Sequence, residues 1–361
     1  MTSAEPEDRL RSELEERWVS YQPYLLSKGY RLRPRYQPDW IPSWTIKDDI
    51  DSFSCEDSVD SMPVRVLDAT RINDDYRVII KMVTPSGKGQ EGVEELELLR
   101  RFSSSPLRDD PSNHVVPCLD TFPIPDMDGH FVVMPLLGTY SYPPFFNMAE
   151  VHAFLHQIFE GLLFMHRNHV AHCDIASANI MMNSHILYNE PFHPFHQRLS
   201  LDIQRRIYPQ FVRSQVRIRY YFIDLGYAKW LKNPDALRTI PADRARIMAP
   251  EQVPGKPYDP FLGDIFQLGT VIGRDILKNV HGLDFLEPLA TEMTQREPHK
   301  RPSLEKARDS MNTAFLGLNG WRYRWPFIPQ SATFRARLHF ALVGILAEFG
   351  YWIEKLVGLL R

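Results

Sequence analysis

The stretch VAHCDIASANIMM, Val170 to Met182, decides how this chain is read. It contains the pattern H-x-D-x-x-x-x-N, which sets a carboxylate, Asp174, five residues before an amide, Asn179. A second acid, Asp224, follows in the D-L-G of YYFIDLG, Tyr220 to Gly226. A carboxylate can orient an attacking hydroxyl, and amide and carboxylate oxygens are the ligands that a hard cation such as Mg2+ prefers. Each motif is weak alone. Two in this order, with others on both sides, make a strong signal.

Upstream, VRVLDAT and DYRVIIKMV alternate and carry β-branched residues, so they read as paired strands joined by a turn at Asn73–Asp75. EGVEELELLRRF, Glu91 to Phe102, has helical spacing, and VVPCLDTF and HFVVMPLL are two further strands. After Pro144 the pattern turns helical: Ala149 to Asn168 is apolar all round and should be largely buried. Residues 4–27 have helix-forming composition, and RLRPRYQPDWIPSW, Arg31 to Trp44, looks extended. A strand-rich first half and a helical second half make an α+β arrangement.

With 361 residues and 43% hydrophobic content, the chain can bury a large core as one two-lobed domain with extensions. A net charge of −3 gives no pointer to nucleic acid. Cys55, Cys118 and Cys173 are few and scattered, which reads as free thiols in a reducing, cytoplasmic setting. The N-terminus, MTSAEPEDRLRSELEERW, lacks the apolar run of a secretory signal.

The two motifs resemble the catalytic loops of protein kinases, and the resemblance covers roughly residues 60–305. It implies a two-lobed fold with a small β-rich lobe and a larger helical one. Lys81, ending VIIK, would then grip the phosphates of ATP, and Glu95, in E-x-x-L-L-x-x-F, would orient it. Met134 falls where the gatekeeper lies. Asn179 and Asp224 would hold Mg2+ (or Mn2+), and Asp174 would orient the acceptor hydroxyl. His172 is assigned a packing role, and Asp264 in GDIFQLG would brace the loop backbone. Glu251, closing MAPE, would pair with Arg301 of EPHKRP. Small-molecule phosphotransferases share the first loop but generally lack this brace, so the pair favours the protein-kinase branch. RPRYQPDWIPSW, VLDATRI and LYNEPFHP are similar to the divergent kinase-like proteins of mushroom-forming fungi. The boundaries implied are an N-terminal extension over 1–45, a small lobe over 46–138, a large lobe over 139–320 with an insert at 184–218, and a helical tail over 321–361.

Four departures weigh against efficient catalysis. No glycine occurs from Tyr30 to Ser86, although a loop over phosphates needs glycines for close backbone approach. The segment in that place, Asp48 to Asp60, holds six acids and no base, and reads as repelling a triphosphate or as a solvated linker lying away from it. Ala176 and Ala178 stand where the two kinase branches place a catalytic-loop cation, for which Arg244 or Arg246 could substitute. Cys173 replaces the arginine that captures an activation-segment phosphate, and Asp224 to Glu251 offers only Thr239 and Tyr227 as acceptors.

Forty-four residues separate Asn179 from Asp224, so Ser184 to Ile218 is mostly insertion. LSLDIQRRIYPQFVRSQ reads as a helix broken at Pro209. Arg198, Arg205, Arg206, Arg213 and Arg217 make it basic, either a solvated excursion or a dock for an acidic partner. His193 and His196 lack an acid or cysteine to complete a metal set. In the tail, apolar residues at 338, 342, 345, 349, 352, 356 and 360 form one stripe. Packing on the body or a partner, a membrane-surface helix and a span are the alternatives for 338–360, with Glu348, Glu354 and Lys355 opposing a span. The whole reads as an ATP-dependent transferase acting slowly on a protein serine or threonine. The alternative is a pseudokinase that serves as a scaffold for a protein partner.

Overall fold

The computed structural model describes residues 11–46, 51–59, 64–85, 92–233, 240–241, 245–318, 320–328 and 333–359. Asp48, Asp49, Asp60, Glu91, Thr239, Arg244 and Leu360, singled out above, lie outside the described residues. The chain divides into two compact units.

The first unit gathers Met1–Arg108, Val116–Gly138 and Tyr188–Gln210. Its antiparallel sheet runs in the order β1 (Tyr30–Arg31), β2 (Val66–Arg71), β3 (Tyr76–Val83), β5 (His130–Pro135), β4 (Asp120–Pro123). The β2–β3 hairpin closes where Asp74 accepts from Arg71 and from the Tyr76 amide, and Asp75 takes the left-handed φ of 53°. Alternation sorts the side chains. Leu67, Ala69, Val78, Ile80, Met82, Phe131 and Val133 form one apolar face under Trp18 and Leu25 of α1 (Glu13–Ser27). The opposite face carries Asp68, Thr70, Arg77, Ile79 and Lys81, with Asp68 facing Ile79 and Thr70 facing Arg77 in register.

The segment Arg31–Trp44 is not simply extended. It makes a turn at Pro34–Tyr36 and the short helix α2 (Ser43–Ile46). Pro34 opens the turn and Pro42 precedes α2, where a fixed φ is already helical and no N–H is missed. Arg35 holds Glu15 of α1 by Nε–Oε1 2.6 Å and Nη2–Oε2 3.1 Å, and the Tyr36 hydroxyl donates to the same carboxylate. Burial alone would raise the Glu15 pKa; Arg35 and the Ser12 amide hold it below the usual carboxylate range.

The acidic segment is neither a phosphate-facing loop nor a solvated linker over its described part, residues 51–59. Asp57 is buried and accepts from Trp40 Nε1, Ser43 N and Ser43 Oγ. Glu56 accepts from Arg33 at 2.8 Å and from His193 at 3.3 Å. Paired acids are cheaper to bury than to leave unmatched, and the extension supplies the donors.

The insert also differs from expectation. Leu199–Gln215 is not a helix: bridges Phe192↔Ser200 and Leu199↔Arg206 fold it back on itself, and only Arg213–Gln215 makes a helical turn. Ser200 donates to Asp202, which accepts the Gln204 amide, and Ile203 adopts φ 56°. Short polar side chains thus win the backbone away from a helix. Nor is the insert a solvated excursion, although Arg198, Arg205, Arg206 and Arg217 are exposed as a dock for an acidic partner would need. His193, Phe192 and Ile207 are buried in the first unit. In the second unit Arg213 is buried, donating to Tyr220 Oη, Tyr140 O and Pro143 O.

The second unit holds Asp109–Val115, Thr139–Leu187 and Phe211–Arg361. The first unit also contributes α3 (Val93–Phe102), beside β3. In the second, α4 (Met148–Arg167) is capped by Asn147, and Phe154, Leu155, Ile158, Phe159 and Leu162 are fully buried along it. Around it stand α5 (Pro260–Thr270), α6 (Glu287–Met293), α7 (Leu304–Leu316) and α8 (Gly320–Arg324). The tail is α9 (Phe334–Leu359), which packs on α8 through Gly344 against Trp325, an Arg324–Glu348 pair and Arg324 stacked on Tyr351. Its stripe does not pack on the body: Leu338, Leu342, Ile345, Phe349, Trp352 and Leu356 are all at least half exposed. Among the described residues no helix is long and apolar enough to cross a membrane.

Candidate active site

The loop that carries Asp174 is held from below by one helix. Asp264 of α5 is fully buried and accepts the amides of His172 (2.8 Å) and Cys173 (2.8 Å), with His166 Nε2 at 2.9 Å. One turn on, Gln267 accepts the Ile175 amide and donates to Cys173 O and Ile247 O. Every polar backbone group so fixed removes a way for the loop to drift. Cys173 takes φ 64°, and burial next to Asp264 pushes its thiol pKa well up, so the thiol is a packing group here.

His172 is fully buried. Its Nδ1 accepts the Asp174 amide at 3.3 Å and its Nε2 lies 3.1 Å from Ile223 O. That pattern fits one tautomer, neutral with Nε2 protonated. It links the loop to the strand Tyr220–Phe222, whose partner in an antiparallel pair is Ile180–Met182.

Asp174 is 2% exposed. Asn179 Nδ2 donates to its Oδ2 and to its main-chain oxygen, both at 2.8 Å. The Arg246 amide donates to Oδ1 at 2.6 Å, and Arg246 Nε stands 3.5 Å from Oδ2. So a cation does reach the carboxylate although Ala176 cannot supply one; it arrives from the later segment. With Nδ2 turned to Asp174, the Asn179 carbonyl oxygen is left for another partner. Asp224 is half-buried in the left-handed region at φ 62°, ψ 74°, a conformation Asp tolerates better than most residues. The Ile223 amide bonds to Asn179 O at 3.0 Å, tying the two candidate metal ligands through adjacent backbone. An amide oxygen and a carboxylate are a donor set that fits Mg2+.

In the first unit, Lys81 Nζ lies 2.6 Å from Glu95 Oε1, with both side chains largely shielded. Met134 faces Ile79 across β5 and β3, on the sheet face that carries Lys81. That face could meet a nucleotide, but β1 and β2 do not form the hairpin that lays backbone amides over phosphates. Among the described residues β1 meets β2 through Tyr30 and Arg31, and residues 32–65 lie between the two strands in sequence.

Arg301 is buried against Glu251 in a two-point fork, Nη1–Oε1 2.5 Å and Nη2–Oε2 2.7 Å, and also donates to Gln295 O and Leu262 O. The insert's His193 presents Nδ1 to the Phe195 and His196 amides and Nε2 to Glu56, so its lone pair is in use. Among the described residues no cluster of three or more His, Cys, Asp or Glu could hold a metal. Gln267 was missed from the sequence. The available signal was its spacing, three residues after Asp264 on one face of a helix.

The sequence matches the family model of the protein kinase domain over residues 65–280. No curated protein matches the chain.

Proposed function

The chain belongs to the protein kinase domain family, and we propose that it transfers a phosphoryl group from ATP to a protein hydroxyl, serine or threonine rather than tyrosine, at a slow rate. The observation that carries this reading is Asp174, a buried carboxylate whose two oxygens are oriented by Asn179 and by Arg246. A scaffold needs no such carboxylate. In this reading Lys81, set by Glu95, holds ATP phosphates, Asn179 and Asp224 hold Mg2+, and Met134 lines the nucleotide face. The metal supplies charge neutralisation on the phosphates when bound. Asp174 then aligns the acceptor hydroxyl, and Arg246 supplies positive charge beside it. The missing glycine hairpin supports slow rather than fast turnover.

That same missing hairpin favours a second reading, a pseudokinase scaffold. A single-turnover phosphorylation assay with Mg2+ and Mn2+, run on the wild type and on Asp174→Asn with nucleotide affinity measured alongside, separates the two. Transfer lost with affinity retained supports catalysis; no transfer from the wild type supports the scaffold. The three free thiols support a reducing, cytoplasmic setting. The outward stripe of α9 supports a contact surface for a protein partner or a membrane surface.

A further inference from the structure

A cavity of about 350 Å³ in the first unit is lined by Arg31, Leu32, Arg33, Pro34, Gln37, Thr70 and Arg77. Three arginines border it and, among the described residues, no acid does. Arg77 and Thr70 face each other in register on β3 and β2, and Arg77 Nη1 donates to Thr70 Oγ1 at 2.9 Å. Among the described residues no carboxylate stands within ion-pair distance of Arg77, although its guanidinium is half-buried. Arg33 gives Nε to Asp68 and Nη1 to Glu56, while its buried Nη2 has no hydrogen-bond partner. Among the described residues Arg31 meets one acid, the exposed Asp75, at 3.4 Å.

Half-burying a guanidinium without a direct ion pair is costly, and this wall does so for a group that natural surfaces usually pair. Burial pulls the Arg77 pKa below its ordinary value; Asp68 opposes the shift and Arg31 adds to it. The extension shapes the cavity: Gln37 donates to Leu32 O and accepts from Gln22 of α1, so the wall is fixed before anything enters. Arg77 lies four residues from Lys81 along β3, roughly 13 Å at the rise of a strand. The cavity is therefore separate from the Lys81–Glu95 pair.

We propose that this cavity is an anion site for a phosphate monoester, bound by Arg77 and Arg31 with the Thr70 hydroxyl. Guanidinium forks match phosphate oxygens in pairs, and Arg77, which has no ion pair among the described residues, and Arg31, held by a long contact to the exposed Asp75, keep donors for them. A carboxylate offers two oxygens and one charge and would leave donors unused. The space exceeds that of the bare ion, so a substituent on the phosphate can be housed.

The test uses the full chain and inorganic phosphate as the probe, with a phosphoserine peptide and its unphosphorylated form as further arms. Thermal unfolding and calorimetric titration are run against sodium chloride at matched ionic strength. The expected result is a rise in melting temperature and a measurable affinity for phosphate. Both weaken about ten-fold or more in Arg77→Gln, the loss of one charge-assisted contact, and weaken less in Arg31→Gln. Binding of the phosphoserine peptide and not of its unphosphorylated form identifies a phosphorylated protein as the source. Binding of inorganic phosphate alone identifies a free ion or small ester. If Arg77→Gln does not fold, Arg31→Gln, at an exposed position, decides. The proposal is overturned by a wild type that responds to phosphate no more than to chloride, or by variants that respond like the wild type. It is equally overturned by a response that survives Arg77→Gln and disappears in Lys81→Met.

Discussion

At the scale of single residues, the catalytic question turns on what surrounds Asp174. Asn179 and the Arg246 amide each claim one carboxylate oxygen, so the group is aimed rather than free to rotate. On the proposed reading, Asp174→Asn should leave nucleotide affinity nearly unchanged and abolish transfer, because there the carboxylate serves the acceptor and not ATP. Wild-type rates in that variant would remove Asp174 from the mechanism. Arg246→Ala is the sharper test of how the chain compensates for Ala176. If the Arg246 side chain replaces the missing lysine, its loss should lower kcat about ten- to a hundred-fold, equivalent to one charge-assisted hydrogen bond of about 1.5–3 kcal/mol. An unchanged kcat, measured in single turnover, would leave only the amide of Arg246 with a role. The pairing of Asp174 with Asn179 was legible in the sequence because H-x-D-x-x-x-x-N sets the two residues at a fixed short spacing. Arg246 could only be named beside Arg244 as a candidate. Which residue of a long segment returns to a loop seventy positions away is a tertiary fact that local pattern does not encode.

At the scale of elements, helix α5 and the turn before α7 carry the rigidity. Arg301 is a fully shielded side chain with a two-point ion pair and two carbonyl partners. Arg301→Ala strands Glu251 and both carbonyls, which should cost about 3–5 kcal/mol. Thermal unfolding against Arg296→Ala, an exposed neighbour, should show a clear drop for the first and none for the second; equal melting of both would refute the brace. Arg301→Lys should fall between, since lysine loses the fork. The N-terminal helix gives a pH test. The Glu15 pKa is held below the ordinary 4.5 despite burial, by Arg35 and the Ser12 amide. A depressed carboxylate contributes stability that is fully present above its unfolded pKa and lost as pH falls through its folded one. The melting gap between wild type and Glu15→Gln should therefore be widest near neutral pH and close progressively below about 4.5; a gap that widens in acid would contradict the assignment. Strands β2 and β3, helices α3 and α4, and their order were legible because alternation and helical spacing are strong there. The Leu199–Gln215 stretch misled because its helical composition lost to Ser200 and Asp202, whose short side chains close turns instead.

At the scale of the whole molecule, the first unit is built from three separate stretches, and the third of them, Tyr188–Gln210, lies in the insert whose sequence reads as a solvated excursion or a dock for an acidic partner. Nothing in its composition marks it as core. Its contacts do: His193 and Phe192 are buried, His193 donates to Glu56, Phe195 lies under the Arg33 guanidinium at 5.1 Å, and Gln197 Nε2 donates to Leu137 O at 3.1 Å. The same Arg33 holds Asp68 of β2 and Glu56 of the acidic segment, so extension, insert and sheet meet at one guanidinium. Replacing Tyr188–Gln210 with a short flexible linker should therefore weaken the sheet unit itself. Burial of Tyr188, Phe192 and Ile207 would be lost, each worth up to about 1.5–3 kcal/mol, and Glu56 and Arg33 would each lose a partner. That sum rivals the 5–15 kcal/mol typical of a domain. A fall of about 10 °C or more is expected, since about 1 kcal/mol shifts a domain of this size by roughly 2–4 °C. The measurement is thermal unfolding followed by tryptophan fluorescence, to which Trp18 and Trp44, buried in this unit, contribute, with Trp230, Trp321, Trp325 and Trp352 reporting on the second unit. A linker variant melting within about 2 °C of the wild type would mean that the insert merely rests on the sheet. A large fall would show that the segment inserted between Asn179 and Asp224 is a structural part of the unit that carries Lys81 and Glu95.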